Sequence, residues 1–455
     1  MKYYFGPLIL IFIWCFLTIN LLPQAAQAFP DSLTAPVQAQ AAVKVSRLTS
    51  AHLQVTDSAI YGWSGMHPNF IPYRSRRSFG AHLLALPSYA WRAIWYPLGK
   101  TVVWMEHSHF HEQAIAFFFN EDFSAGIFPI FNVGGSLGLG AGLMGFHNNL
   151  FHKGHQVSFR VLFGSLDDNY STLEYKMRNF AGIPATLKLS GIFISDSEEN
   201  FFPTGNNSRE SGKSSYDFET GGGGAGLNFN LLPRLKWQLN AGLRHIDISY
   251  GEGYSGTFFP DSLPEFGTRK LWQAGSGATL DFRNGWPRTL SGALLQMDYR
   301  YTEELSGNRF QFHTLDAEVQ IFFSPFFLAK NRRFSLRGWL QKNYTINGKE
   351  IPFYELSLLG DADNLRGYPQ NRFRAEGALL FNLEYRYPVW DHWDAVIFFD
   401  EGQVFNHFSV IKPDRFHWAA GGGLRFMTAN GFIMRTEVAA SPDHVQFLLE
   451  FAPNF

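Results

Sequence analysis

From about residue 125 onward, apolar and polar side chains alternate along the chain with a period of two. The stretch QVSFRVLF at 156–163 has this pattern, and KWQLNAGLR at 236–244 and TLDAEVQIF at 314–322 repeat it. A period of two places successive side chains on opposite faces of a β-strand. The pattern therefore predicts a chain made mostly of β-strands, each with one apolar and one polar face.

Sixteen such segments are predicted as antiparallel strands, with lengths and connections typical of a membrane barrel. Most have about 10–14 residues, whereas strands of soluble proteins centre on about 5–6 and bilayer-crossing strands need about 9–11. Connections after even-numbered segments are mostly short, and three after odd-numbered segments (197–213, 251–270 and 347–371) are long, as in outer-membrane barrels with short periplasmic turns. The predicted ranges are 127–135, 137–147, 155–166, 169–180, 184–196, 214–232, 235–250, 271–284, 289–304, 309–326, 333–346, 372–388, 392–406, 415–429, 431–441 and 444–455.

Full charges in the middle of the polar faces distinguish a membrane barrel from a soluble β-sandwich, which also alternates. On the lipid side of a barrel each such charge would cost about 2–4 kcal/mol, whereas in a wet lumen it stays hydrated. We therefore predict an all-β fold: a 16-stranded antiparallel transmembrane β-barrel at residues 125–455, with a short N-terminal helical segment. The mid-strand charges are Arg160, Glu174, Lys176, Arg178 and Glu318.

The first 124 residues lack the alternation and are predicted to form three segments. Residues 1–28 hold one lysine, a long apolar run and an Ala-x-Ala triplet, which is typical of a cleaved signal peptide. An uncleaved membrane helix is the alternative, because the run approaches the roughly 18–20 residues that span a bilayer. Residues 29–85 are predicted as a linker or irregular periplasmic segment, and 86–124 as a short amphipathic helical segment interrupted by Pro97 and Gly99.

Composition and charge agree with an exported membrane protein. The chain has 455 residues, a net charge of -1, 43 glycines and 47 phenylalanines. Such a balance lacks the clustered excess of Lys and Arg that nucleic-acid binding requires, and many aromatic residues fit the girdles of a barrel. The one cysteine, Cys15, lies in the predicted signal peptide. We expect a protein of the bacterial outer membrane with its N-terminus on the periplasmic side.

The candidate site is the polar stretch GDADNLRGYPQNRF at 360–373, which carries Arg366 in the middle of a long predicted loop. The strand that follows places Glu384 on its lumenal face, and the next strand does the same for Asp400. A guanidinium forked onto carboxylates is a strong, charge-assisted hydrogen bond. We therefore predict that the loop folds back into the barrel with Arg366 as its anchor, that Gly367 supplies the bend, and that Tyr368 stacks or hydrogen-bonds against the wall.

The last hundred residues resemble a known family. The motifs LRGY, NLEYRYP, FFDEGQV and GGGLRFMTANGFIMRTEVA occur in order within 355–455, before an aromatic C-terminus. This set is similar to the BamA/TamA outer-membrane assembly superfamily, also called the bacterial surface antigen family; residues 125–350 match it only in architecture. The resemblance implies a loop lock, in which Arg366, Gly367 and Tyr368 contact Glu384, Asp400 and Gly402 and stabilise the barrel in its working state.

The resemblance also implies a function and partners. The expected protein is not an enzyme: it inserts, assembles or translocates proteins or lipid in the outer membrane. Its expected partners are outer-membrane lipid, unfolded outer-membrane protein clients, and the assembly machinery that inserts the protein itself. That machinery is expected to recognise the aromatic last strand through Phe447, Phe451 and Phe455, although these residues also fit an ordinary lipid-facing strand.

One departure from the family's pattern concerns the segment before the barrel. About 95 residues separate the predicted cleavage site from the first strand, and they lack the βααββ rhythm of a polypeptide-transport-associated repeat. We therefore expect a short member without such repeats. A weak seam between the first and last strands is also expected, because Pro453 deletes one ladder hydrogen bond.

Other functions remain as alternatives. A passive, porin-like outer-membrane channel is the main one, and an enzyme acting on lipid is the other, although no Ser-His-Asp arrangement stands out. The stretch EHSHFHE at 106–112 has the spacing of a Zn or Ni site, but an interfacial polar segment is the favoured interpretation. No cofactor, metal or nucleic acid is expected.

Overall fold

The structure is a computed structural model that describes most of the chain from residue 117 onward. The described ranges are 117–120, 122, 124–133, 139–164, 168–250, 265–284, 289–325, 332–390, 393–427 and 433–450. The predicted signal peptide, the linker, the histidine-rich stretch and nearly all of the predicted helical segment lie outside these ranges. In the described part, no helix is long and apolar enough to cross a bilayer.

Sixteen strands form a single antiparallel sheet whose spatial order follows the chain, as predicted. Most strands alternate apolar and polar residues and pair in antiparallel ladders. The register shifts near Pro388 in β14 and near Leu232 in β6. The strands are β1 (Ala125–Val133), β2 (Leu139–Leu150), β3 (His155–Phe163), β4 (Asn169–Met177), β5 (Ala185–Phe201), β6 (Ser214–Leu232), β7 (Leu235–Ser249), β8 (Arg269–Asp281), β9 (Gly292–Glu304), β10 (Gln311–Phe323), β11 (Arg333–Thr345), β14 (Gly377–Trp390), β15 (Trp393–Phe405), β16 (His417–Met427), β17 (Ile433–Ala440) and β18 (Val445–Glu450).

A two-stranded ribbon, β12 (Ser357–Leu359) with β13 (Phe373–Ala375), lies inside the long loop between β11 and β14. We call residues 346–376 the RGY loop. The predicted strand 372–388 is therefore wrong at its start, because its first residues leave the wall and pair within the loop. The reason is apolar packing: Phe373 is buried in a cluster with Leu359 and Leu365 instead of continuing the wall.

The two faces of the wall differ as the alternation predicts. On β14, Phe381 and Leu383 are 47% and 40% exposed on the outward face, while Asn382 and Glu384 are buried on the inward face. Outward apolar and inward polar side chains are the arrangement of a membrane barrel. One predicted inward charge is misplaced, because β4 ends before Arg178, which lies in the turn that follows.

The sheet has two edge strands, β1 and β18. Between the described residues of these two strands, no backbone ladder closes the sheet. The last strand is short, with six residues against nine in the first strand.

Candidate functional site

The RGY loop bends sharply at Gly367, directly after Arg366. The φ angle of Gly367 is 81°, a left-handed conformation that only glycine adopts without strain. A Cβ atom at this position would also lie 3.3 Å from the carbonyl carbon of Ala440 on β17. Both the turn and the close approach of the loop to the wall therefore favour glycine at this position.

Arg366 is fully buried and contacts three carboxylates on three strands. Its Nε and Nη2 atoms donate to Asp400 Oδ2 and Oδ1, both at 2.7 Å, in a fork. Its Nη1 atom donates to Glu384 at 2.8 Å and to Glu437 at 3.1 Å. The structure thus places Arg366 against both acids named from the sequence, and adds a third.

Two further guanidinium groups contact two of these carboxylates, Glu384 and Glu437. Arg425 donates to Glu384 at 2.6 and 3.0 Å and to Glu437 at 2.8 Å. Arg386 donates to Glu384 at 2.8 Å through Nε and makes a second, shorter contact through Nη2. Three cations and three anions thus form one neutral set, which we call the ion cluster: Arg366, Arg386, Arg425, Glu384, Asp400 and Glu437.

Burial decides the energetics of the ion cluster. The side chains of Arg366 and its three acids have no exposed surface, and a buried charge is costly unless it is paired. An aromatic face covers the remaining side, because the Arg366 guanidinium lies 3.5 Å from the centre of the Phe398 ring. Burial alone would lower the pKa of Arg366, but the facing carboxylates, Asp400 foremost, raise it. The group therefore stays charged.

Further contacts fix the residues just before Arg366. Asn382 donates to the carbonyl of Asn364 at 3.1 Å and to Asp400 at 2.8 Å, so that one amide joins the loop to the ion cluster. Arg435, on β17, donates to Asp363 Oδ1 at 2.7 Å and to the Ala362 carbonyl at 3.1 Å. The loop is therefore held from β14 and from β17 at once.

Tyr368 and Gly402 lie on the apolar side of the same loop. The Tyr368 hydroxyl donates to the backbone carbonyl of Trp418 at 3.2 Å, and its ring packs in the cluster with Leu359 and Phe373. Burial raises the pKa of Tyr368 to about 12. A Cβ atom on Gly402 would lie 2.9 Å from the Leu359 side chain, so the absence of a side chain there makes room for the ribbon.

The earlier part of the RGY loop contacts different strands. Phe353 packs edge-to-face against Phe201 and Tyr216, with ring centres 5.5 and 5.1 Å apart, in a buried apolar cluster of β5 to β8. Glu355 accepts a hydrogen bond from Arg244 of β7 at 2.7 Å. We call this pair of contacts the apolar anchor, and it lies several strands away from the ion cluster in the sheet.

Several site residues were missed by the sequence reasoning. Glu437 and Arg425 lie within a quoted motif, and counting alternate positions inward along their strands would have placed them in the lumen. Phe353 and Glu355 carry no periodic signal, because they lie in a loop. Asp394, at the start of β15, is also buried and accepts a hydrogen bond from Arg333 at 2.9 Å.

The predicted C-terminal signal is described only in part. Phe447 is 67% exposed on β18, whereas Phe451 and Phe455 lie outside the described residues. In the described ranges, no group of three or more His, Cys, Asp or Glu side chains has the arrangement of a metal site. The ion cluster pairs its charges with one another.

Comparison with known proteins identifies a family and several structures that this chain resembles. The family model described as the Omp85 superfamily domain matches residues 149–442, well over half of the chain. No curated protein matches. Ninety solved chains match; one is the crystal structure of BamA from Haemophilus ducreyi lacking POTRA domains 1-3, with 15% identity, a TM-score of 0.55, and coverage of 72% of this chain and 69% of that chain.

Two other matches are CdiB proteins. CdiB from Acinetobacter baumannii has 14% identity, a TM-score of 0.44, and coverage of 67% of this chain and 53% of that one. CdiB from Escherichia coli has 14% identity, a TM-score of 0.44, and coverage of 71% and 61%. The BamA match supports the fold, and the family match covers the ion cluster from Arg366 to Glu437. The chain belongs to the Omp85 superfamily of outer-membrane barrels.

Proposed function

We propose that this chain is a non-enzymatic outer-membrane barrel that inserts or translocates proteins or lipid, and that the RGY loop holds it in its working state. Membership of a superfamily that acts in outer-membrane protein insertion and translocation supports the general role. The observation that carries the specific role of the loop is the buried, neutral ion cluster. The desolvation cost of the buried charges is offset only while all six groups stay paired. The ion cluster therefore has two states, assembled or open.

The ion cluster connects the loop to four consecutive strands. Glu384 and Arg386 come from β14, Asp400 from β15, Arg425 from β16 and Glu437 from β17. The last of these strands, β17, pairs with β18, the edge strand. A fastened wall beside an unfastened edge concentrates movement at that edge, where a client strand or a lipid has access to unpaired backbone groups.

The proposed partners follow from the faces of the wall. Lipid contacts the outward apolar face, and unfolded outer-membrane protein clients meet the edge. The N-terminus lies on the periplasmic side after signal-peptide cleavage, and the aromatic last strand is recognised by the machinery that assembles this protein. These assignments rest on the family and on the sequence pattern.

Depletion in the source bacterium tests the role. Loss of the protein should change the inventory of outer-membrane proteins or lipids, and the normal chain should restore it. Arg366→Ala should fail to restore it at equal abundance in the membrane. Arg309→Ala is the matched control, because Arg309 also pairs with the RGY loop, through Glu350 at 2.7 Å, but does so in a solvent-exposed position. An unchanged inventory after depletion would overturn the proposal.

Conductance in planar bilayers separates the proposed role from a passive pore. A barrel with its loop fastened inside should show low, flickering conductance, and Arg366→Ala should increase the time spent open. A large, steady, ion-selective current from the normal protein would instead support a porin-like channel.

A further inference from the structure

A second long loop, residues 202–213 between β5 and β6, reaches the opposite part of the sheet; we call it the strap. Six strands lie between β6 and β15 in the sheet, yet Asn206 of the strap contacts both β15 and the start of β16. Its Nδ2 atom donates to the carbonyl of Arg415 at 2.8 Å, and its Oδ1 atom accepts from the backbone N–H of Val404 at 3.0 Å. The strap therefore crosses the barrel at its long-loop end.

The two backbone groups that Asn206 contacts lie opposite each other if the β15–β16 ladder is extended. The β15–β16 ladder ends at the pair Gly402 and His417, and hydrogen-bonded pairs recur every two residues in an antiparallel ladder. Continuing the register by two residues places Val404 opposite Arg415. An amide side chain has the same donor and acceptor groups as a peptide unit, so Asn206 occupies the position of the next rung.

The strap also contacts the RGY loop. The N–H of Gly205 donates to the carbonyl of Arg374 at 2.8 Å. The Arg372 guanidinium donates to the hydroxyl of Ser208 at 2.8 Å and lies 5.2 Å from the centre of the Phe202 ring. These contacts involve the last residues of the RGY loop, so the strap and the loop support each other.

The main chain of Asn206 is held as well. Its carbonyl accepts a hydrogen bond of 2.7 Å from Nε2 of His417, whose ring stacks on Phe373 of the RGY loop with centres 3.9 Å apart. Asn206 thus contacts three residues of β15, β16 and their connection. Neighbouring Asn207 is exposed and provides a matched control.

We propose that the strap is a releasable fastening with two satisfied states. In the docked state, the Asn206 amide separates Val404 from Arg415 and satisfies both. In the released state, the Val404 N–H bonds directly to the Arg415 carbonyl, and the β15–β16 ladder gains one rung. Val404 is buried, and a buried backbone N–H must be paired; it stays paired in both states. Release therefore costs only the other strap contacts, which are those of Gly205, Ser208 and the Asn206 carbonyl.

Limited trypsin digestion of the purified protein in detergent tests the docked state, because the strap carries exposed cleavage sites at Arg209 and Lys213. We expect Asn206→Ala to increase the rate of cleavage at these two sites at least tenfold, while Asn207→Ala stays within twofold of the normal protein. Equal rates for the two variants would overturn the proposal. If Asn206→Ala does not assemble, Asn206→Gln, which keeps the amide on a longer arm, must give an intermediate rate.

Hydrogen exchange of the peptide that contains Val404 tests the released state. In Asn206→Ala the Val404 amide should keep its protection, because the direct rung to Arg415 replaces the lost contact. Loss of protection at Val404 together with rapid cleavage of the strap would show that the second state does not form, and the two-state proposal would be wrong.

Discussion

The RGY loop is held at two places by opposite kinds of chemistry. At the ion cluster, Arg366 is enclosed by carboxylates and every contact has a directional geometry. At the apolar anchor, Phe353 is enclosed by aromatic and aliphatic side chains of β5 to β8. Glu355 adds ion pairs with Arg244 at 2.7 Å and with Arg300 at 4.0 Å. The same loop is therefore fixed once by charge and once by burial of apolar surface.

The difference indicates a division of roles. Burial of a phenylalanine stabilises almost any close packing of the right volume, so the apolar anchor resists removal without specifying one arrangement. A buried ion cluster gains little net free energy, but it tolerates only arrangements that pair every charge. We therefore expect the apolar anchor to hold the loop in the barrel and the ion cluster to determine the register of the loop against β14 to β17.

Removal of Arg366 should have the largest effect. Arg366→Ala leaves three buried carboxylates with two guanidinium groups, and breaking such a pairing costs about 3–5 kcal/mol in free energy of unfolding. Arg366→Lys should recover only part of this loss, because an ammonium cannot fork onto Asp400. Heat-modified migration on gels in detergent gives the midpoint for each variant.

Restoring the charge balance sharpens the same experiment. Asp400→Asn added to Arg366→Ala returns the ion cluster to neutrality, so the double variant should be more stable than the sum of the single changes predicts. Additive effects would mean that Arg366 and Asp400 do not interact in the membrane-inserted protein.

Truncation of Phe353 should have the second-largest effect on stability. Phe353→Ala leaves a cavity beside Phe201 and Tyr216, and such a change costs about 3 kcal/mol. The loss should be independent of salt and additive with Arg366→Ala, because the two sites share no contact partner. Phe353→Leu, which refills most of the volume, is the control; a loss as large as that of alanine would argue against packing as the cause.

The ion pair of the apolar anchor should contribute less. The Arg244 side chain is 27% exposed, so solvent screens its attraction to Glu355, and Glu355→Gln should cost about 1 kcal/mol. The cost should shrink as salt rises, because the exposed partner is screened by ions. Midpoints measured at low and high salt, with Arg244→Gln and the double variant completing a cycle, test this. A cost that does not change with salt would indicate a fully desolvated pair.

The fold was predictable because strand periodicity is local. Alternation identified all sixteen strands and both faces, since a side chain's face depends only on its position within the strand. The prediction failed where tertiary packing overrode the pattern. Phe373 begins an alternating stretch, yet it lies in the loop ribbon, where the apolar cluster with Leu359 and Tyr368 buries it.

The site was less predictable because height along the barrel depends on register. Alternation shows that Glu437 and Arg425 face the lumen, but only the pairing of β16 with β17 and of the loop with both brings them to the level of Arg366. Contacts made by the loops could not be predicted from the sequence at all. Asn206 and Arg415 are separated by more than two hundred residues, and no local pattern connects them.

Asp361 gives the smallest predicted effect, of opposite sign to the others. Burial raises the pKa of Asp361, and nearby Asp363 raises it further. A carboxyl whose pKa is raised in the folded state adds stability only below its unfolded pKa and loses it as the pH rises through the folded value. Asp361→Asn keeps an acceptor for the Ala362 N–H, which donates to Asp361 at 2.6 Å. We therefore expect this variant to unfold at a slightly higher temperature than the normal protein at neutral pH, and at the same temperature at about pH 3, where Asp361 is itself protonated.

Asp363→Asn is the control, because it removes the carboxylate that pairs with buried Arg435 at 2.7 Å and should lower the midpoint. A lower midpoint for both variants would mean that the Asp361 carboxylate stabilises the loop, contrary to the environment described here.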